Sequence, residues 1–476
     1  MSFPEYSEYD GLGLADLVRR GEVSAAELVE AAIERIEQHN GALNAVVFKA
    51  YDEARKTATG ELPDGPFRGV PFLVKDHDVA VGGWPTTHGS RFLRDNIEPE
   101  DSGLVRRFRE SGVVLVGKTN APEYGITGTT EGAFLGACCN PWSLEHSTGG
   151  SSGGSSAAVA AGIVPLAHAA DGLGSIRIPA ACCGLVGLKT TRDRNPDLPD
   201  GYDYAYGLVV SNVVSRTVRD SAAMLDVTGK PEPGSPYPAP PKERPYMEEI
   251  TRSPGRLRIA WPAESSSRRP VDPQVQAALE QTADLLRRLG HEVIDRPLDV
   301  DYRALNAAHG PIGNANFAAG MRRLIERVGR EPEPHELEYL TWASLRGGRE
   351  VTGEQVMWGL QELRMLNRRT LMFFEDVDVY LCPVMTAPPP PLGYLDPVAV
   401  RAREVNQRQG ALYPYTAPFN FSGQPSISLP LAWSAEGLPI GMMFTSRYAD
   451  EATLFRLAAQ LEKERPWKDR RPPIWN

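Results

Sequence analysis

The chain has 476 residues, 41% of them hydrophobic, which is ample for a large buried core. Its formal net charge is -10 and it has no block of like charge, so nucleic-acid and anionic-membrane partners, which need basic patches, are not expected. It has no apolar run of the roughly 18 residues that a membrane-spanning helix requires.

From the start, Met1 to Leu14 lacks a basic stretch followed by an apolar core, so no secretory signal is expected. Ser24-Ala-Ala-Glu27 is a capping-box pattern and predicts a helix to about His39, with Leu28, Ala31, Ala32 and Ile36 on its buried stripe. Val70 to Val74 predicts a strand ending at Lys75, Leu104 to Arg109 a helix, and Val113 to Val116 a buried strand. Ala157 to Ala161 predicts a small-residue helix and Ile163 to Ala167 a strand. After a glycine-rich turn come a helix near Ile176 to Cys182 and a strand near Leu185 to Leu188. This alternation argues for an α/β fold.

Lys230 to Arg244, rich in proline and glycine, predicts a surface loop. Strands at Leu257 to Trp261 and His291 to Ile294 flank a helix at Pro273 to Leu289. Residues 297–375 are mainly helical, and Pro388 to Pro391 predicts a rigid exposed turn. An apolar run at Ser426 to Leu431 and a helix near Glu451 to Glu464 close the chain. The five cysteines include two adjacent pairs, Cys138/Cys139 and Cys182/Cys183, poorly placed for disulfides. They predict reduced thiols in a cytosolic protein, and no Cys-x-x-Cys or nearby histidine points to zinc.

Two local patterns mislead. Gly112 to Thr119 matches the spacing of a phosphate loop, but the residues between its glycines, Val113 to Val116, are the predicted strand itself. Gly-x-Ser-x-Gly occurs around Ser151 and around Ser152. A nucleophile elbow needs a strand directly before the serine and a histidine late in the chain. Asn140 to Thr148 is polar and loop-like, and no histidine follows His335.

A longer pattern is specific. Gly149-Gly-Ser151-Ser-Gly-Gly154, Asp171-Gly-Leu-Gly-Ser175-Ile-Arg-Ile-Pro179 and Cys183-Gly-Leu-Val-Gly-Leu-Lys189 resemble the amidase signature family. So do Gly69-Val-Pro-Phe-Leu-Val-Lys75-Asp76, Gly117-Lys-Thr-Asn-Ala-Pro-Glu123, Pro418-Phe-Asn-Phe-Ser-Gly-Gln-Pro425 and Leu438-Pro-Ile-Gly441. The resemblance implies a central mixed sheet of about ten or more strands surrounded by helices, with a smaller, mainly helical region capping the substrate. It suggests five segments: an N-terminal helical segment (1–60), a core with the catalytic residues (61–230), a linker with further core elements (231–296), a helical pocket region (297–395) and a C-terminal core (396–476).

The resemblance also implies a catalytic triad of Lys75, Ser151 and Ser175, with Ser151 following a cis peptide bond and with no cofactor or metal. Serine is a weak nucleophile and needs a base. A lysine is a base only when neutral, a form favoured by burial, here expected among Val70, Phe72 and Val74. The amides of Gly172, Leu173, Gly174 and Ser175 would form the oxyanion hole. Leu173 stands where many members have glycine, and either lies at the substrate mouth or points into the core. Asp171 and Arg177 are expected to orient the turn, and Lys118 and Lys189 to serve the scaffold. His77 is a tempting acid catalyst beside the base in sequence.

Tyr124, Gly125 and Ile126 are expected to contact substrate. Phe317, Tyr339, Trp342 and Trp358 are expected in the core more often than on the ligand. Pro245-Tyr246, Ser253-Pro-Gly255, Gln460-Leu461 and Pro466-Trp467 look most like the cyclic nylon-oligomer (6-aminohexanoate cyclic dimer) hydrolases, a branch related to urethanases and aryl acylamidases. The expected partner is thus a small, uncharged, fairly apolar amide, anilide or carbamate, taken by a cytoplasmic monomer or homodimer. Two alternatives stay open: a glutaminase subunit of a tRNA-dependent amidotransferase, and a non-catalytic binding protein on the same scaffold.

Overall fold

The computed structural model describes residues 3–196, 207–235, 237–263 and 270–475. Eleven strands form one mixed sheet. Across it they run Val46–Lys49, Val114–Thr119, Pro71–Lys75, Leu166–Asp171, Val210–Ser215, Val186–Lys189, Ser426–Trp433, Pro439–Ser446, Val379–Pro383, Arg258–Trp261 and Glu292–Asp295. Pro71–Lys75 pairs in parallel with both Val114–Thr119 and Leu166–Asp171. The strands from Leu166–Asp171 across to Val379–Pro383 pair antiparallel.

Strand Pro71–Lys75 is buried on both faces, which is why it reads as an unbroken apolar run. Phe72 and Val74 pack on one face with Leu104 and Phe108. Leu73 points to the other face, into the cluster that holds Ala157, Ala158 and Ala161. Side chains alternate along a strand, so Lys75 shares the Leu73 face. The expected burial of its amine among Val70, Phe72 and Val74 is therefore corrected: those side chains lie across the sheet from it.

The first long helix spans Ala25–Leu43, with Ser24 and Glu27 forming both bonds of a capping box. The phosphate-loop lookalike is a strand that begins at Val114 and runs through Lys118 to Thr119. The strand expected at Ile163 begins at Leu166, because Gly162, at φ 68°, and the residues after it make a turn first. Asn140 to Thr148, expected as loop, holds a short strand, Ser143–Ser147, paired with Cys139–Asn140 outside the main sheet. Pro388 to Pro391 is not a fully exposed turn. Pro389 and Pro390 are buried, and the Pro390 carbonyl accepts from the Ser147 amide at 2.9 Å. Beyond the sheet, helix Tyr302–Val328 packs on Gly353–Phe373 through Leu305, Ala308, Ile312, Leu360 and Leu363, and on Tyr339–Glu350 through Met321 and Leu345. Among the described residues no helix is long and apolar enough to cross a membrane. All five cysteines are free thiols.

Candidate active site

Two parallel neighbours, Pro71–Lys75 and Leu166–Asp171, end at the same edge of the sheet. One delivers Lys75 and the other opens the turn Asp171 to Ser175. Ser151 reaches the same edge from the loop before helix Gly153–Ala160, which packs on the Leu73 face. The Lys75 Nζ is buried and donates to Ser151 Oγ at 2.9 Å. The Gly150-Ser151 peptide is cis. Ser175 is half-buried and lines the same cavity as Lys75 and Ser151.

Asp171 organises the turn between them. Its carboxylate accepts from Arg177 Nε and Nη2, from Asn420 Nδ2 and from the Gly174 amide, the last at 2.7 Å. Burial works to raise its pKa, but the Arg177 charge and these hydrogen bonds hold it at about 2. Asp171 and Arg177 therefore take the orienting role expected of them. Gly174 has φ 140°, and a Cβ there would come within 2.6 Å of Ile178 and Thr416. Its amide is already given to Asp171, so Gly174 shapes the turn and is not free for the oxyanion role expected of it. Leu173 resolves its two expectations: it is 41% exposed at the cavity mouth, not in the core.

The cavity has a volume of about 520 Å³, within the range of small-molecule sites. Tyr124, Gly125 and Ile126 line it as expected. Tyr124 stacks on His88 and meets Phe317 edge-on. Phe317 is a lining residue and not core. Tyr339 and Trp358 are largely exposed and outside the cavity, and Trp342 packs at the edge of a small cluster. Asn306, Asn314, Asn316 and Gln409 bring uncharged amides to the wall. His309, also on the wall, is lowered to about 4 by burial and is neutral near pH 7. A side chamber of about 230 Å³ adjoins the cavity, sharing His77, Asp78, Tyr124 and Phe317.

The residue that sequence reasoning missed is Asp78. Its Oδ2 lies 2.9 Å from Lys75 Nζ, and its Oδ1 lies 2.5 Å from His77 Nδ1. The His77 contact is one of proximity, since Nδ1 makes no directed hydrogen bond. Burial would raise the Asp78 carboxyl, but the charges of His77 and Lys75 hold it well below the usual carboxylate range. Spacing alone gives no signal for this contact, because it depends on the chain folding back after the strand.

The other histidine near the base is His168. Its Nδ1 accepts from the Lys75 backbone amide at 3.3 Å, and burial lowers it to about 3. It pins the strand through that bond, as a neutral ring. Lys118 bonds Thr86 and pairs with Asp76 at 3.5 Å, and Lys189 donates to the Thr190 carbonyl; both serve the scaffold.

A buried amine on one serine, with a second serine on a glycine turn facing the same cavity, defines a class: an enzyme that hydrolyses amides. The chain belongs to the Amidase family, the amidase signature hydrolases, whose match covers residues 27–455. It is 38% identical to the 6-aminohexanoate-cyclic-dimer hydrolase of Paenarthrobacter ureafaciens, over 98% of this chain and 97% of that one. A solved 6-aminohexanoate cyclic dimer hydrolase complexed with substrate superposes with a TM-score of 0.93 at 36% identity, covering 99% of this chain and 100% of that one. A bacterial aryl acylamidase of the same family superposes with a TM-score of 0.87 at 27% identity, covering 96% of each chain.

Proposed function

We propose that this enzyme cleaves the C–N bond of uncharged, fairly apolar amides or carbamates through an acyl-enzyme on Ser175. Candidate substrates are anilides, linear or cyclic amide oligomers and urethanes. The observation that carries the reading is the 2.9 Å contact of Lys75 Nζ with Ser151 Oγ, in a cavity that Ser175 also lines. Ser175 attacks the carbonyl carbon. Its proton passes to Ser151 as the Ser151 proton passes to neutral Lys75. The oxyanion forms under the amides of Gly172, Leu173 and Ser175, where each donor is worth about 3 kcal/mol. The proton then returns through Ser151 to the leaving nitrogen, and water releases the acyl group by the same path.

The wall supports an uncharged substrate. Among the described residues, the lining side chains that can carry a charge are Lys75, Asp78 and the histidines His77 and His309, and His309 is neutral. The carboxamides of Asn306, Asn314, Asn316 and Gln409 would pair with a second amide of an oligomer, and Leu173, Ile126 and Phe317 would cover its methylenes. The enzyme acts without a partner chain, as a monomer or homodimer.

The test is turnover of a panel of anilides, aliphatic amides, cyclic diamides and small carbamates by the purified single chain. Ser175→Ala and Lys75→Ala are each expected to lose on the order of a thousandfold or more in kcat. Full turnover by Ser175→Ala would sink the mechanism. Activity that needs an added partner chain would favour the glutaminase-subunit reading.

A further inference from the structure

We propose that Asp78 is a positioning residue of the proton path, fixing Lys75 Nζ on Ser151 and placing a permanent negative charge beside the ammonium that forms during attack. This rests on the acyl-enzyme reading above and adds a fourth member to its chain. As Ser175 Oγ bonds to the carbonyl carbon, the carbonyl π pair moves to oxygen. The Ser175 proton goes to Ser151, the Ser151 proton goes to Lys75 Nζ, and the amine becomes an ammonium 2.9 Å from the Asp78 carboxylate. When the intermediate collapses, the C–N bond breaks, its pair stays on nitrogen, and the proton leaves Nζ by the same route. Each acyl-transfer step thus makes and discharges one cation next to one fixed anion.

Three features single out Asp78. Its contact is close: Oδ2 holds Nζ from one side while Ser151 Oγ holds it from the other. Its backbone is unusual, with φ 73°, a left-handed conformation that an L side chain adopts at an energetic cost. That turn brings the carboxylate back over a residue three positions earlier. Its side chain is also only 9% exposed, and a buried carboxylate needs close polar partners.

The surrounding groups leave Lys75 and His77 as the side chains in contact with its oxygens. On its own segment, Asp76 accepts from Thr87 and pairs with Lys118 of the neighbouring strand. Arg327, from helix Tyr302–Val328, pairs with Glu98 at 3.0 Å. His168, on the other neighbouring strand, and His88, on the loop beyond, are both pushed well down by burial and stay neutral. His77 sits at the boundary of site and side chamber, and its Nε2 faces the Gly125 backbone beside Ser151.

The experiment compares Asp78→Asn and Asp78→Gly with the wild-type enzyme in pH profiles of kcat/KM on the best amide of the panel. Asp78→Asn keeps the shape and removes the charge. Asp78→Gly removes the carboxylate and suits the left-handed backbone, so it remains informative if the asparagine variant fails to fold. An anion favours the protonated amine, so its removal should move the acid limb of the profile to lower pH by about one unit. The plateau should fall on the order of 10- to 100-fold, with little change in KM. Asp78→Glu, which restores the charge, should return the limb toward the wild-type position. A limb that stays in place in the folded charge-free variant, whatever its plateau, overturns the proposal, because a purely structural residue would leave it unmoved. Labelling by a fluorophosphonate separates the two levels: Asp78→Asn and Asp78→Gly should still label at Ser175, more slowly. Labelling elsewhere in the wild-type enzyme would mean that the acyl-enzyme reading itself has failed.

Discussion

At Gly125, backbone conformation and site chemistry meet in one residue. It has φ 65°, and a Cβ built there would lie 3.2 Å from Ser151 Oγ and 3.5 Å from His77 Nε2. Gly125→Ala would carry a left-handed strain of about 1 kcal/mol and press a methyl group onto the Ser151 hydroxyl. The expected outcome is a modest fall in urea stability and a loss in kcat/KM of about tenfold or more, since each 1.4 kcal/mol of barrier is tenfold in rate. Unchanged kcat/KM in this variant would show that Ser151 does not need its present orientation. The sequence names Lys75, Ser151 and Ser175 because each sits in a stretch whose order and spacing are specific, and Gly125 because it falls where the resemblance implies a ligand contact. Asp78 is silent there, since its contact with Lys75 arises from a turn that no spacing rule encodes. The aromatics Phe317, Tyr339 and Trp358 are also ambiguous in sequence: helical spacing alone does not say which face of the helix lies against the cavity.

At the level of elements, local chemistry decided more than tertiary context did. Helix Ala25–Leu43 starts where Ser24 and Glu27 satisfy each other's amides, and it buries Leu28, Ala32 and Ile36. Ser24→Ala is expected to cost about 1 kcal/mol of stability while leaving kcat and KM as they are, because the cap lies at an exposed helix end. A variant that lost activity in proportion would mean that this helix end holds the site in place, and chemical denaturation beside a rate measurement distinguishes the two. Two of the elements that shifted did so for local reasons. The turn after Gly162 delays its strand to Leu166, and the polar ribbon Ser143–Ser147 pairs outside the sheet, where no buried face imposes apolar alternation. Pro389 and Pro390 are drawn inward beside the hydrogen bond that the Pro390 carbonyl accepts from Ser147, which composition cannot reveal. The order of strands Val210–Ser215 and Val186–Lys189 within the sheet is likewise absent from the pattern of apolar runs, because pairing partners far apart in sequence leave no local mark.

At the scale of the whole molecule, buried carboxyls bound its stability on both sides of neutrality. Asp171, held at about 2, has a folded pKa below its ordinary 3.8. Its contribution is present above about 4 and is lost as the pH falls through about 2. Glu462 works in the opposite direction. It lies on the C-terminal helix Glu451–Glu464 and accepts from the Val218 amide at 3.1 Å, so it ties that helix to the start of Val218–Thr228. Burial, followed by the nearby charge of Asp10, raises it from 4.5 to about 7. The folded chain therefore holds a proton that the unfolded chain releases. The resulting stability is complete below about 4.5 and drains away as the pH rises through about 7, a loss on the order of 3 kcal/mol once the folded carboxyl is ionised. Asp220 and Glu338, both also near 7, add slopes of the same sign. Glu462→Gln keeps the acceptor for Val218 and cannot ionise, so it should remove one of these slopes. Urea unfolding at pH 6, 7 and 8 is expected to show a flatter profile for the variant and a clear stability advantage at pH 8. Its acid limb between about pH 4 and pH 2, set by Asp171, should coincide with that of the wild type. A variant whose stability falls between pH 6 and 8 as steeply as the wild type would show that the Glu462 proton does not govern the alkaline side.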